Sequence, residues 1–131
     1  MSQYKQERDI ELIKRVKQAL ALPHIHNMNE AVMFAINNEC SRFYVSYEDA
    51  WRYVQAKEQN KKPNRCTKRN QSIMECIYNR YIKRKKLYPE KKDEDNFSDV
   101  IFSPAPSFYL TYMHAKRLFG KARKMLRYSH T

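Results

Sequence analysis

Apolar residues recur at helical spacing along most of the chain. In "RDIELIKRVKQALAL", Ile10, Ile13, Val16 and Leu20 fall three or four apart, which predicts an amphipathic helix from about residue 4 to 20. Pro23 stops it. In "HNMNEAVMFAINN", Asn27 and Glu30 have capping-box spacing, and Val32, Ala35 and Ile36 give one face of a short helix. "RFYVS" breaks the rhythm: it is β-branched and aromatic, too short for a helix, and reads as a strand. Ser46 then caps a helix whose Tyr47, Ala50, Trp51 and Val54 lie on one face. The stretch 57–71 has no apolar periodicity, contains Pro63, and holds six basic residues against one acidic, so residues 61–71 read as a basic linker. The pattern restarts beyond it. "SIMECIYNRYIKRKKL" places Met74, Ile77, Tyr78, Tyr81 and Ile82 on one helical face. "KKDEDNFSDVIFS" is a short helix with an acidic first turn, which suits the positive end of the helix dipole. "PSFYLT" is a second strand, and Thr111 caps the last helix.

The second half repeats the first. Phe43, Tyr44, Tyr47, Ala50 and Arg52 return as Phe108, Tyr109, Tyr112, Ala115 and Arg117 at one offset, and Val32, Ala35 and Ile36 return as Phe97, Val100 and Ile101 at the same offset. Glu11 and Ile13 match Glu75 and Ile77 at an offset one residue shorter. The expected fold is therefore mainly α with two short β-strands, a tandem internal repeat of helix-helix-strand-helix units. Residues 1–60 form the first unit and 72–131 the second, packed together as one compact domain because either alone is too small to bury its aromatics. The two strands are expected to pair and cover each other's open edges.

The segments "CSRFYVSYEDA" and "SPAPSFYLTYMHAKRL" resemble a family of small basic proteins of Bacteroides-group bacteria and their phages. Its members carry an A/S-x-R/K-F-Y-V-S segment in the first half and a P-A-P-x-F-Y-L segment in the second. The resemblance covers most of the chain. It implies a phage or mobile-element setting and carries over no activity. Cys40 and Ser41 stand in the first half where Ala105 and Pro106 stand in the second.

Composition sharpens the picture. One Gly in 131 residues, against roughly nine at average usage, argues for helices and against a many-turned β fold. A net charge of +12 points to a polyanionic partner. Three cysteines, Cys40, Cys66 and Cys76, make no disulfide framework, and a reducing interior is expected. There is no apolar run long enough for a membrane span, and "MSQYKQERDIE" lacks the apolar core of a signal peptide. The expected location is the cytoplasm of a bacterial host, or a virion.

The basic residues cluster. Ala115, Leu118, Phe119, Ala122, Met125 and Leu126 form the apolar stripe of the last helix, and Lys116, Arg117, Lys121, Arg123, Lys124 and Arg127 occupy the rest. No Asp or Glu follows Asp99, so this face has no acidic neighbours in sequence. A merely solvated face is the bland reading. Phosphate contact is the functional one, and a membrane-surface role is disfavoured because the stripe is needed for packing. A second cluster includes Lys83, Arg84, Lys85 and Lys86, part of which serves the negative end of its helix dipole. Phe43, Tyr44, Phe108 and Tyr109 are candidates for base stacking or, the better expectation, for the core. Glu90, Asp93, Glu94 and Asp95 are candidates for a protein interface, with a homo- or hetero-oligomer as its product.

Catalysis has little to stand on. His24, His26, His114 and His130 have no Cys or carboxylate at ligand spacing, and phosphate-cradling loops need glycine. No catalytic residue, cofactor, metal or small-molecule substrate is expected. The second helix carries no Lys or Arg, which argues against a major-groove recognition helix there. The expectation is a non-catalytic protein binding nucleic acid through its phosphate backbone. The alternative is a phage virion component, an adaptor held to a portal, ring or capsid protein.

Overall fold

Among the described residues six helices account for the regular structure: α1 (Gln3–Leu20), α2 (Met28–Ile36), α3 (Tyr47–Glu58), α4 (Lys68–Leu87), α5 (Asp93–Ile101) and α6 (Tyr112–Ser129). The computed structural model describes residues 3–62 and 68–129, and the side chains of 4–62 and 70–121. The caps act where the sequence places them. Asn27 accepts from the Glu30 amide at 2.8 Å, and the Glu30 carboxylate reaches back to the His26 amide at 2.8 Å. Ser46 accepts from the Asp49 amide and Thr111 from the His114 amide.

Helix starts recur with one spacing. Gln3 and Lys68, Met28 and Asp93, and Tyr47 and Tyr112 are each 65 residues apart. Burial follows the same offset: Val32, Ala35 and Ile36 are buried in α2, as are Phe97, Val100 and Ile101 in α5. Leu12 and Val16 are fully buried in α1, and their counterparts at that spacing, Ile77 and Tyr81, are buried in α4. Packing thus pairs α1 with α4 at 65, one residue more than the Glu11/Glu75 match suggests. The α1 core face is correspondingly rotated, and Ile10 is 69% exposed.

The chain folds as two compact units whose helices come from both halves of the sequence. The first draws its described residues from Met1–Cys40 and Pro106–Thr131; the second is Ser41–Ala105. In the first unit α1, α2 and α6 pack on one another, and in the second α4 packs on α3 and on α5. Each repeat therefore supplies its third helix to the helix pair of the other. Two sets of hydrogen bonds carry the exchange at the 65-residue spacing. The Phe43 amide donates to the Ile101 carbonyl at 3.1 Å in the second unit, and the Phe108 amide donates to the Ile36 carbonyl at 3.2 Å in the first. The Tyr47 hydroxyl donates to Glu94, and the Tyr112 hydroxyl to Asn29.

These bonds also explain a correction. The two expected β-strands are absent: among the described residues there is no strand, only isolated bridge positions at Cys40 and Ala105. Aromatic, β-branched residues suit a half-buried pleated surface, but they form a strand only when their amides find a ladder. Here the Phe43 and Phe108 amides satisfy the last carbonyls of α5 and α2 instead. The Val45 amide closes a tight turn on the Phe43 carbonyl at 3.1 Å, and Tyr109 adopts φ 55° with its amide on the Ser107 hydroxyl. Neither backbone can extend. α4 also begins at Lys68, inside the stretch read as linker.

Aromatic rings fill the second unit. Phe97 is fully buried, with the Trp51 ring 4.8 Å, the Tyr47 ring 5.0 Å and the Tyr81 ring 6.4 Å from its own, centre to centre. Trp51 and Tyr47 come from α3, Tyr81 from α4 and Phe97 from α5, so the cluster joins all three helices.

Candidate functional site

The basic residues sort into cations held by the fold and cations left to solvent. Four consecutive positions on a helix point in all directions, and Lys83–Lys86 does so at the end of α4. Arg84 turns inward. It donates to Asp99 at 2.9 Å, and its guanidinium lies 4.8 Å from the Tyr88 ring centre. Lys85 pairs with Glu58 at 3.2 Å and with Asp93 at 3.7 Å, over the Tyr81 ring. Burial opposes its charge, but the hydrogen bond to Glu58 and the neighbouring Tyr81 and Asp93 raise its pKa overall. Lys83 and Lys86 are exposed and pair with no described residue.

Acidic residues in this unit are similarly engaged. Lys91 and Arg84, both hydrogen-bonded to Asp99, hold its carboxyl below its ordinary pKa. The Tyr53 hydroxyl and then Lys57 do the same for Glu75. Asp93 meets Lys85, Glu94 accepts from Tyr47, and Glu90 and Asp95 are exposed. Burial pushes the Tyr81 phenol up, so that ring stays neutral in the core. Two cations not singled out in the sequence are also structural. Arg80 donates to the Pro104 carbonyl at 2.7 Å beside the Phe43 ring, and Arg42 lies 4.5 Å from the centre of the Phe102 ring. Both sit against aromatics near the "RFY" segment, which is a signal only once that segment is known to be packed and not paired.

The first unit is different. Residues 1–40 hold five Lys and Arg against five Asp and Glu, whereas 106–131 hold six against none. The whole surplus of that unit therefore lies on the segment that carries α6. Ala115 and Phe119 are buried, and the opposite face presents Met113, Lys116, Arg117, Gly120 and Lys121, all exposed. These positions follow i, i+3, i+4, i+7, i+8, one stripe of the helix. Arg117 and Lys121 pair with no described residue; the Lys116 ammonium lies 5.9 Å from the Tyr112 ring centre. The side chains of Arg123, Lys124 and Arg127 lie outside the described residues.

The stacking candidates divide. Phe43 and Phe108 are buried core residues, 1% and 4% exposed. Tyr44 and Tyr109 are half-buried, and Arg42 lies 5.7 Å from the centre of the Tyr44 ring. Sequence reasoning also missed a shallow open groove of about 740 Å³ in the first unit, lined in part by Ile25, Asn29, Met33, Phe34 and Tyr112. The His24 ring meets Phe34 edge-on at its margin.

Among the described residues no three His, Cys, Asp or Glu side chains cluster as metal ligands, and no helix is long and apolar enough to cross a membrane. Comparison of the chain with protein-family models, curated proteins and solved structures gives no match.

Proposed function

We propose that this protein binds nucleic acid without catalysis, gripping the phosphate backbone with the exposed face of α6. The observation that carries the reading is the contrast between two sets of cations. Arg84, Lys85, Arg80 and Arg42 are held by carboxylates, carbonyls and rings, whereas Lys116, Arg117 and Lys121 form one exposed stripe on a segment with no acidic residue. A helix face of this kind concentrates positive potential without internal compensation. Phosphate neutralised by Lys and Arg releases condensed counterions, which supplies affinity without sequence readout. Lys83 and Lys86 of α4 are a second contact surface on the other unit. A phage or mobile element in a bacterial cytoplasm is the setting that the sequence resemblance favours.

The test is a fluorescence-anisotropy titration of a labelled DNA duplex at several salt concentrations. Wild-type protein is expected to bind with log affinity falling linearly against log salt. Lys116→Gln, Arg117→Gln and Lys121→Gln together should flatten that slope by roughly two to three, at about 0.9 for each phosphate no longer neutralised. Lys83→Gln with Lys86→Gln should flatten it less, and Lys85→Gln not at all. Absence of binding at low salt rejects the reading. A stoichiometric, salt-stable complex with a virion protein would then favour the adaptor role.

A further inference from the structure

We infer that Gly120, the chain's single glycine, is where the sugar-phosphate backbone of a bound duplex makes its closest approach to α6. The inference rests on the nucleic-acid reading above and specifies its geometry. Glycine weakens a helix interior relative to alanine because it has more backbone freedom to lose. That cost is offset locally where a backbone conformation, a close packing contact or a ligand needs the missing side chain. Conformation does not demand it: Gly120 lies within α6 and its φ is not positive. Packing against the described residues does not either, because a Cβ built on Gly120 meets none of their atoms within 4 Å. What surrounds it is the cationic stripe. Lys116 and Arg117 lie one turn before it, Lys121 follows it, and all three are exposed.

A missing side chain at the centre of three cations makes a shallow notch. A phosphodiester strand settled there brings its oxygens to hydrogen-bonding distance of the ammonium and guanidinium groups on either side. A methyl group in the notch lifts the strand and lengthens all three charge pairs together. The charges remain, so the number of phosphates neutralised stays the same while each pairing weakens.

The experiment uses the full chain with Gly120→Ala and Gly120→Leu beside wild type and the Lys116→Gln, Arg117→Gln, Lys121→Gln triple variant, on the same labelled duplex. Gly120→Ala is expected to melt at a higher temperature than wild type. It should nevertheless bind about tenfold more weakly, the effect of moving three charge pairs apart by roughly 1 Å, with an unchanged salt slope. Gly120→Leu should bind more weakly again. If both Gly120 variants bind as wild type does while the triple variant loses affinity, the close approach is refuted and phosphate binding by α6 stands. If wild type itself does not bind, the reading on which the inference rests fails and the inference falls with it.

Discussion

Replacing Phe97 tests the exchanged arrangement of helices directly. Phe97 is on α5, and its ring packs against Trp51 and Tyr47, which are on α3 from the other half of the sequence. Removing a fully buried phenyl forfeits about 2–3 kcal/mol of transfer free energy. The cavity left among rigid rings takes the cost of Phe97→Ala to about 3–5 kcal/mol, and the missing ring-edge interactions push it toward the upper end. That is a large share of the roughly 5–15 kcal/mol that holds a domain together. Phe97→Leu keeps most of the volume and should cost about 1–2 kcal/mol, leaving a folded protein to examine. Trp51 is the chain's only tryptophan, so its fluorescence reports on the second unit alone. Urea unfolding followed by Trp emission should show a lowered midpoint for Phe97→Leu, and the folded-state spectrum itself should change. If α3 packed on α1 and α2 of its own repeat, Trp51 would be blind to Phe97. An unchanged emission spectrum together with a destabilisation under about 0.5 kcal/mol, the size of an ordinary surface substitution, would refute the exchange.

Three further outcomes are expected. Asn27→Ala removes the α2 cap and should cost about 1 kcal/mol in urea unfolding; Glu30→Gln, which keeps a side-chain oxygen for the His26 amide, should cost less. Asp99 and Glu75 have folded pKa values below their ordinary ones, so the stability they contribute is complete above those ordinary values and is lost as the pH falls through the lowered ones. Thermal melts from pH 7 to 3 should therefore fall more steeply below about pH 4 for wild type than for Asp99→Asn with Glu75→Gln. The difference should stay under about 1 kcal/mol per group, since both carboxylates are more than a third exposed. Arg84→Gln should destabilise the second unit by removing the Asp99 pair and leave duplex affinity unchanged, as thermal melts and anisotropy together would show.

Local signals in the sequence were reliable where the physics is local. Asn27, Ser46 and Thr111 cap the helices that their spacing announces, because a cap is decided by three or four adjacent residues. "RFYVS" and "PSFYLT" misled because strand preference describes a half-buried surface, and the amides of Phe43 and Phe108 had distant partners in the carbonyls of Ile101 and Ile36. The exchange of α3 and α6 left no mark on periodicity: an apolar face shows that a helix is buried, not against which of two similar helix pairs. The basic clusters were visible, but Arg84 and Lys85 could not be told from Lys83 and Lys86. Their carboxylate partners, Asp99 and Glu58, lie 15 and 27 residues away. In the sequence Gly120 is only a lone glycine within a helical pattern; its place in the exposed stripe follows from which side of α6 is buried.

Lysine footprinting would show where on the chain the phosphate backbone lies. The full chain is acetylated briefly with and without a saturating duplex at low salt, and each lysine's modification is read by mass spectrometry. Strong protection of Lys116 and Lys121 on duplex addition is expected, with an unchanged, low reactivity of Lys85, which is paired in both states. Equal reactivity of Lys116 and Lys121 with and without bound duplex would contradict phosphate binding by α6, because the phosphate backbone would then lie elsewhere.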